Sequence, residues 1–575
     1  MRTVLIRYKG ITPNLRQLSF KSPFKPFIHR WTEFSRAIDE ESDGETKKHA
    51  QLLHRTLEAE LKDVLEAKKD YVANGVITFE HLFTLFSPGA TIYTREWGRD
   101  CASELCRGYY CTDYDFGKCF VVATRKVNWN GSSFGFENSF YYLPTFVGAM
   151  RIEDLNAFPI EFHPDCENVK RQLVERGKIF EQYCGYQYKT YKGPALRRKH
   201  SDETIKVTIE SRIVIDTAAY DEYNPDLLPI LDDFSTKPTA ADMDTHYYSD
   251  SDQEYEPAPL ALRRPSPGRR RSRSPVPVPR TFQRRQNRRG RHANEQSTGG
   301  KALARIKLSE DQLLHASPLT HGYAFRTRQW LSFFVDQASD IIFNENAFSS
   351  LVLPAEKKEM ILAFASSQVK YKDSFDDVIS GKGKGMTMLL SGGPGTGKTL
   401  TAESVAEDLK VPLYTLSMNE LGFRSYDMES KLITVLDMVA RWNAVLLLDE
   451  CDVFLEARSR YDDVMSIFLR TLEYYEGILF LTSNRVEDMD PAFRSRIHLS
   501  LTYPELDSVS RHQVWKNLLR DKEHNLSDKE LEILALVDIN GRQIKNILKA
   551  GGLLARFSGQ KLGYEHLKRI LNAEK

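Results

Sequence analysis

"GMTMLLSGGPGTGKTLTAESVAEDLK", residues 385–410, decides the fold. An apolar run that suits a buried strand leads into a glycine-rich turn, and the turn opens directly into a stretch with helical character. The turn fits G-x-x-x-x-G-K-[ST], with Gly392, Gly397, Lys398 and Thr399 in the fixed places. Across Gly392, Gly393, Pro394, Gly395, Thr396 and Gly397, a backbone this small lets N–H groups close around a phosphate at a helix N-terminus, where the dipole favours negative charge. The pattern assigns Lys398 to the outer phosphates and Thr399 to Mg²⁺.

The same logic extends outward. "VPLYTLSM", "NAVLLLDE", "GILFLTSN" and "IHLSLTY" are further apolar runs separated by helical segments, which predicts a parallel sheet covered on both faces. Asp449 and Glu450 end one such strand. An acid there stands beside the phosphate loop, so Asp449 is a ligand for the Mg²⁺ shell and Glu450 a general base for water. Asn484 ends the next strand and is a candidate to hold that water or the terminal phosphate. Arg494 and Arg496, in "AFRSRI", precede the last strand. From Glu505 onward there are no strand candidates, and the tail reads as a small helical domain. The expected fold class is α/β, a P-loop NTPase core over residues 384–504 with a C-terminal helical lid over 505–575.

Upstream, residues 33–231 read as an α+β domain with a largely antiparallel sheet, and 302–383 as a connection into the core. "ETKKHAQLLHRTLEAELKDVLEAKKDYV" is helical by its three- and four-residue apolar spacing and stops at Asn74-Gly75. "ATIYTRE", "KCFVVATRKVNW", "SFYYLPTFVG" and "IKVTIESRIVIDT" are strand candidates. Between these regions, residues 232–301 are poor in aliphatics and predicted to be disordered. The net charge of +1 conceals an asymmetry: eleven acids face one lysine from Tyr220 to Pro257, then twelve arginines and no acid follow from Arg263 to Arg291. The arginine block is a candidate nucleic-acid or import segment, with Ser266 and Ser274 before prolines as phosphorylation sites; the plainer reading is a solvated linker.

The bulk composition, 41% hydrophobic and 28% charged, excludes fibrous classes, and no apolar run approaches the length of a membrane span. Seven cysteines without a secretory signal suit a reducing compartment. Residues 1–32 carry seven Lys or Arg and no acid, which reads as a solvated basic arm or a mitochondrial presequence, whereas the arginine tract points to the nucleus; the expected site is intracellular, cytoplasmic or nuclear before mitochondrial. Cys101, Cys106, Cys111 and Cys119 are spaced by four, four and seven residues, which misses the paired spacing of zinc sites and predicts free thiols; Cys451 reads as inert core.

On these residues, about Leu319 to the end resembles the AAA+ ATPases, and the run from "GKGKGMTMLLSGGPGTGKT" to "LTYPELD" looks like a fungal branch of them. Residues 43–231 are similar to the uncharacterised N-terminal domain of that branch through "FTLFSPGATIY", "VNWNGSSFG", "FPIEFH" and "ERGKIF". The resemblance implies ATP and Mg²⁺, Asn484 as sensor 1, an arginine of "AFRSRI" (Arg496, with Arg494 beside it) as the finger offered to the next subunit, and Arg542 of "NGRQIKN" as sensor 2. It implies a ring-like homo-oligomer, a hexamer by family analogy, that remodels a protein substrate. Three positions depart from the family pattern. Gly393 replaces a more usual proline, Ser425-Tyr426-Asp427 stands where an aromatic pore loop is expected, and the two arginines are two apart rather than three. An alternative remains, in which ATP sets assembly and the N-terminal domain and residues 263–291 bind a partner or RNA.

Overall fold

The computed structural model describes residues 20, 22–114, 116–199, 203–225, 227–235, 307–370, 385–417, 425–452, 468–472, 475–484, 494–520 and 522–573. Residues 236–301 of the predicted disordered linker, with the arginine block, and most of the basic arm lie outside these, whereas residues 232–235 of that linker are described, with Asp232 bridging Phe136. The chain forms two units: Met1–Cys184 with Leu228–Thr320, and Gly185–Leu227 with His321–Lys575.

In the first unit, α1 (Lys25–His29) and α2 (Trp31–Asp39) pack on α3 (Gly44–Ala73), burying Phe27, Ile28, Phe34 and Ile38 against Leu57 and Leu61. The boundary expected at residue 32 is corrected accordingly. From Lys25 the segment is folded, because its aromatic residues find an apolar helix face to cover. Asp43 caps α3 by accepting from the Thr46 amide at 3.0 Å, and the helix ends at Asn74-Gly75 as its sequence predicts. A short pair, β1 (Val76–Thr78) with β6 (Ala149–Arg151), accompanies a five-stranded antiparallel sheet. Its strands are β2 (Thr91–Glu96), β3 (Arg99–Asp113), β4 (Gly117–Trp129), β5 (Phe134–Pro144) and β7 (Ala157–Pro159), in the order β5-β4-β3-β2-β7. Helix α4 (Cys166–Gln182) sends Val169 and Leu173 into the core built on Phe120 and Val122.

The second unit draws strands from both sides of the linker. β8 (Gln187–Arg198) and β9 (Thr204–Ile215) join β10 (Leu319–Ala324), β11 (Gln329–Phe334) and β12 (Ala338–Ser339) in the order β11-β10-β9-β8-β12, and β11 also pairs with β8. Residues 185–227 therefore fold with the C-terminal half rather than with the domain expected over 33–231, and part of the expected connection, 302–383, is strand. The physical reason is a shared aromatic core. Trp442 lies 5.5 Å from Tyr323 and 5.8 Å from Trp330, ring to ring, and its indole N–H donates to Asp216 at 3.1 Å. Asp216 caps α5 (Thr217–Tyr223) and also accepts from the Arg441 guanidinium at 2.9 Å.

Beyond lies the predicted parallel sheet, composed of β13 (Met386–Gly392), β14 (Leu413–Ser417), β15 (Val445–Asp449), β16 (Ile478–Ser483) and β17 (Leu499–Tyr503), in the order β14-β15-β16-β13-β17. Alternate residues of β15 enter different cores: Leu446 and Leu448 meet Leu432 and Val439 of α8 (Ser425–Arg441), while Val445 and Leu447 meet Ala402 and Val405 of α7 (Lys398–Asp408) and Ile361 of α6 (Ala355–Lys370). That two-sided burial is why the strand is continuously apolar, each such side chain being worth about 1.5–3 kcal/mol. Four helices, α9 (Ser508–Leu519), α10 (Asp528–Ala535), α11 (Gly541–Phe557) and α12 (Tyr564–Ala573), form the C-terminal lid around Trp515, Ile544 and Leu567. Among the described residues no helix is long and apolar enough to cross a membrane.

Candidate functional site

β13 sits between β16 and β17, so connections run to opposite sides of it, the place where parallel sheets hold ligands beyond the carboxyl ends of their strands. The glycine-rich turn from Gly392 to Gly397 lies there and runs into α7. Two of its glycines are required by space as well as by backbone angle. At Gly392 (φ 147°) a Cβ would come within 2.2 Å of the Tyr503 carbonyl oxygen; at Gly395 (φ 75°) it would come within 2.6 Å of Asn540 Oδ1.

Lys398 is buried and its ammonium donates to the carbonyls of Gly392 (2.7 Å) and Gly393 (2.8 Å) and to Asn484 Oδ1 (2.9 Å). Burial lowers its pKa, an effect opposed by the Asp452 and Asp449 carboxylates and reinforced by the Arg542 charge. Thr399 Oγ1 donates to Asp449 Oδ1 at 3.0 Å, and Thr482 Oγ1 donates to the same oxygen at 2.6 Å. The Thr482 hydroxyl in turn accepts from the Glu450 amide at 2.9 Å. Glu450 has φ 55°, a left-handed conformation that is costly for a non-glycine residue and that concentrates at functional sites. Cys451, next in sequence, is buried and bonds the Thr482 carbonyl through its amide (2.9 Å) and its thiol (3.0 Å); burial pushes that thiol's pKa up.

Asn484 is oriented from below. Its backbone N–H donates to Asp452 Oδ1 at 2.9 Å, an oxygen that also accepts from Ser483 Oγ at 2.5 Å, and its side-chain Nδ2 lies 3.5 Å from Asp452 Oδ2. Two hydrogen-bonded groups thus stand side by side at the strand ends: Lys398 with Asn484 and Asp452, and Thr399 with Asp449, Thr482 and the Glu450 amide, joined through the adjacent residues Lys398 and Thr399. Arg542 lies in the first turn of α11, whose cap Asn540 accepts from the Gln543 amide at 3.0 Å. The neighbouring Gly541 amide donates to the Gly395 carbonyl at 3.0 Å, tying the lid to the phosphate loop. Arg494 and Arg496 are placed elsewhere, on the turn before β17; Arg494 is exposed and Arg496 half-buried. The segment expected to replace a pore loop falls on residues 421–428, whose side chains lie outside the described residues.

Thr482, Asp452 and Asn540 are site residues that the sequence analysis passed over. A partial signal exists for the first two, since Thr482 stands two residues before Asn484 and Asp452 is the third acid of "DECD"; Asn540 has none beyond a capping pattern. The cysteines at 101–119 lie on β3 and β4, and no group of three or more metal-ligating side chains occurs among the described residues.

Residues 388–505, which span the phosphate loop, the Asp449-Glu450 strand and Asn484, match the family model "ATPase family associated with various cellular activities (AAA)". This segment is an AAA domain. Residues 67–164 match a domain of unknown function, DUF7025. The chain is 32% identical over 160 residues to fidgetin-like protein 1 of Caenorhabditis briggsae, covering 25% of this chain and 27% of that one. It is 26% identical over 206 residues to a 26S proteasome regulatory subunit 8 homolog of Encephalitozoon cuniculi, 32% of this chain and 52% of that one. A crystal structure of the FIGL-1 AAA domain in complex with ADP aligns with 41% of this chain and 92% of that one, at 19% identity and a TM-score of 0.32. The chain thus spans about a quarter to a half of the length of these relatives. The AAA domain accounts for the sheet, the loop and the acid pair, while the strands at 187–215 lie outside its match.

Proposed function

We propose that this chain hydrolyses ATP with Mg²⁺ and couples the cycle to remodelling a protein substrate or complex, as a ring of identical subunits. The observation that carries the reading is a pair of hydrogen-bonded contacts at the carboxyl edge of the parallel sheet, Lys398 with Asn484 and Thr399 with Asp449, beside a helix N-terminus. The set fits Mg²⁺, because Thr399 Oγ1 and Asp449 Oδ1 are hard oxygen donors already 3.0 Å apart, and such a pair suits a cation that keeps several waters. Bound there, the ion would neutralise charge on the outer phosphates.

In this scheme Lys398 and the loop amides hold the phosphates. Glu450 orients or deprotonates the attacking water, and its backbone amide, donating to Thr482, sets where that residue leaves the strand. Asn484, held by Asp452, positions the water or the terminal phosphate. Arg542, on the helix joined to the loop by the Gly541–Gly395 bond, reports lid closure. Arg496, with Arg494 beside it, reaches the nucleotide of the next subunit, and a finger acting in trans makes the oligomer obligatory for full turnover.

Glu450→Gln should keep ATP binding and lose turnover, measured as phosphate release against retained labelled ATP. Unchanged hydrolysis would remove Glu450 from the chemistry. Mixing inactive Arg496→Ala with inactive Glu450→Gln subunits should restore part of the activity, because some sites then pair an intact base with a neighbour's intact arginine. Failure to recover any activity in mixed assemblies removes the finger assignment.

A further inference from the structure

Cys111 and Cys119 stand directly opposite each other in the antiparallel register of β3 and β4, and their sulfurs are 3.4 Å apart. Facing residues on antiparallel strands have Cα atoms about 4.5–5.5 Å apart. That lies inside the span of about 4.4–6.8 Å that a disulfide accepts. Closing the bond therefore needs side-chain rotation, not movement of the sheet. The other two cysteines of β3 lack this arrangement: Cys101 faces Thr94 of β2, and Cys106 falls at the bulge between Leu105 and Arg107, where the register shifts. Access is also unequal within the pair, since Cys119 is fully buried while Cys111 is only half-buried near the hairpin end, next to the exposed Tyr114 and Phe116.

We propose that Cys111 and Cys119 form a dithiol–disulfide pair, oxidised by exchange with a small-molecule disulfide of the glutathione type. The Cys111 thiolate attacks one sulfur of the small disulfide, whose S–S bond breaks and releases one small thiol. The Cys119 thiolate then attacks the Cys111 sulfur of the mixed disulfide and expels the second small thiol. Two protein thiols lose two electrons and two protons in total, and the small disulfide gains them as two thiols. Cys111 goes first because it is the one an outside molecule can reach. Burial and the facing Cys119 push the Cys111 thiol up to about 12, so little thiolate exists near neutral pH and the exchange runs slowly. The product bolts the tip of the β3–β4 hairpin, where Phe116 stacks on Tyr142 at 5.0 Å, within the segment that matches DUF7025.

The test uses the full-length chain incubated with excess oxidised glutathione, then unfolded, blocked with N-ethylmaleimide and digested with trypsin. Cleavage after Arg107, Lys118 and Arg125 separates Cys111 and Cys119 onto different peptides, 108–118 and 119–125. The expected result is these two peptides joined, with a mass two hydrogens below their sum, from wild type and from Cys106→Ser. Cys111→Ser, at the more exposed position, should instead give Cys119 as its maleimide adduct. Recovery of both wild-type cysteines as maleimide adducts overturns the proposal. So does Cys111 held only as a glutathione adduct beside a maleimide-blocked Cys119, or a bridge to any other cysteine.

Discussion

Lys126 in the first unit and Lys398 in the second are both withdrawn from water, and their environments act in opposite directions. Burial alone would lower the pKa of Lys126, but Glu137 (3.8 Å) and Glu96 (3.4 Å) outweigh it and the net shift is upward. For Lys398 burial prevails and the shift is downward, because the oxygens that touch its ammonium are neutral, namely two backbone carbonyls and an amide. One lysine has its countercharge supplied by its own fold. The other has a hydrogen-bonded position but lacks contact with an anion among these partners, which is the condition under which a phosphate gains most from binding. A buried charge in a chain is thus read by what already touches it, and only the second arrangement is suited to a ligand.

The sharpest way to break this contrast is to remove each lysine in turn. Lys398→Ala should reduce ATP turnover by about 100- to 1,000-fold, the range for losing one charge-stabilising donor, with little change in denaturant midpoint. Lys126→Met should do the reverse. It strands Glu96 and Glu137 together and should cost the first unit about 3–5 kcal/mol while leaving ATP turnover at the wild-type rate. A pH series sharpens the comparison within the first unit. His29 Nε2 lies 2.7 Å from the Phe83 carbonyl, and burial, with Lys68, Lys25 and Arg30 nearby, lowers its pKa from 6.5 to about 4. Between those values the unfolded chain binds the extra proton and the folded chain does not, so stability falls as pH drops from 6.5 towards 4 and is fully retained above. Denaturant midpoints at the two ends of that window should differ in wild type and converge in His29→Gln. The smallest effect is expected from Thr482→Val. It keeps shape but removes the hydroxyl shared by Asp449 and the Glu450 amide, and should lower kcat by about 10- to 100-fold with nucleotide affinity nearly unchanged.

Legibility in the sequence divides along a similar line. The places of the glycine-rich loop, Asp449-Glu450 and Asn484 at strand ends could be read in advance because each is tied to a local pattern, an apolar run that ends in a particular polar residue. The parallel sheet followed from the same runs. The lid followed from the absence of strand candidates. What could not be read is whatever depends on distant pairing. β8 and β9 look like a continuation of the N-terminal sheet, yet they pair with β10 and β11, and the aromatic core around Trp442 together with the Asp216 contacts to Arg441 and Trp442 explains why. Nothing local to Asp216 announces partners more than two hundred residues away. Thr482 and Asp452 escape notice for a milder version of this reason, since a hydroxyl or acid two residues from a known site residue gains its role from the neighbouring strand. Residues 25–32 look like an arm because their charge is conspicuous, whereas Phe27 and Ile28 determine where they go.

The account rests on a nucleotide held at Lys398, and a thermal shift with ATP tests it most directly. At a hundredfold excess over the dissociation constant, ATP should stabilise the folded state by about 2.7 kcal/mol. Wild type and Lys126→Met should both melt at a higher temperature when ATP is added, and Lys398→Ala should not respond. An undiminished ATP shift in Lys398→Ala would contradict the account.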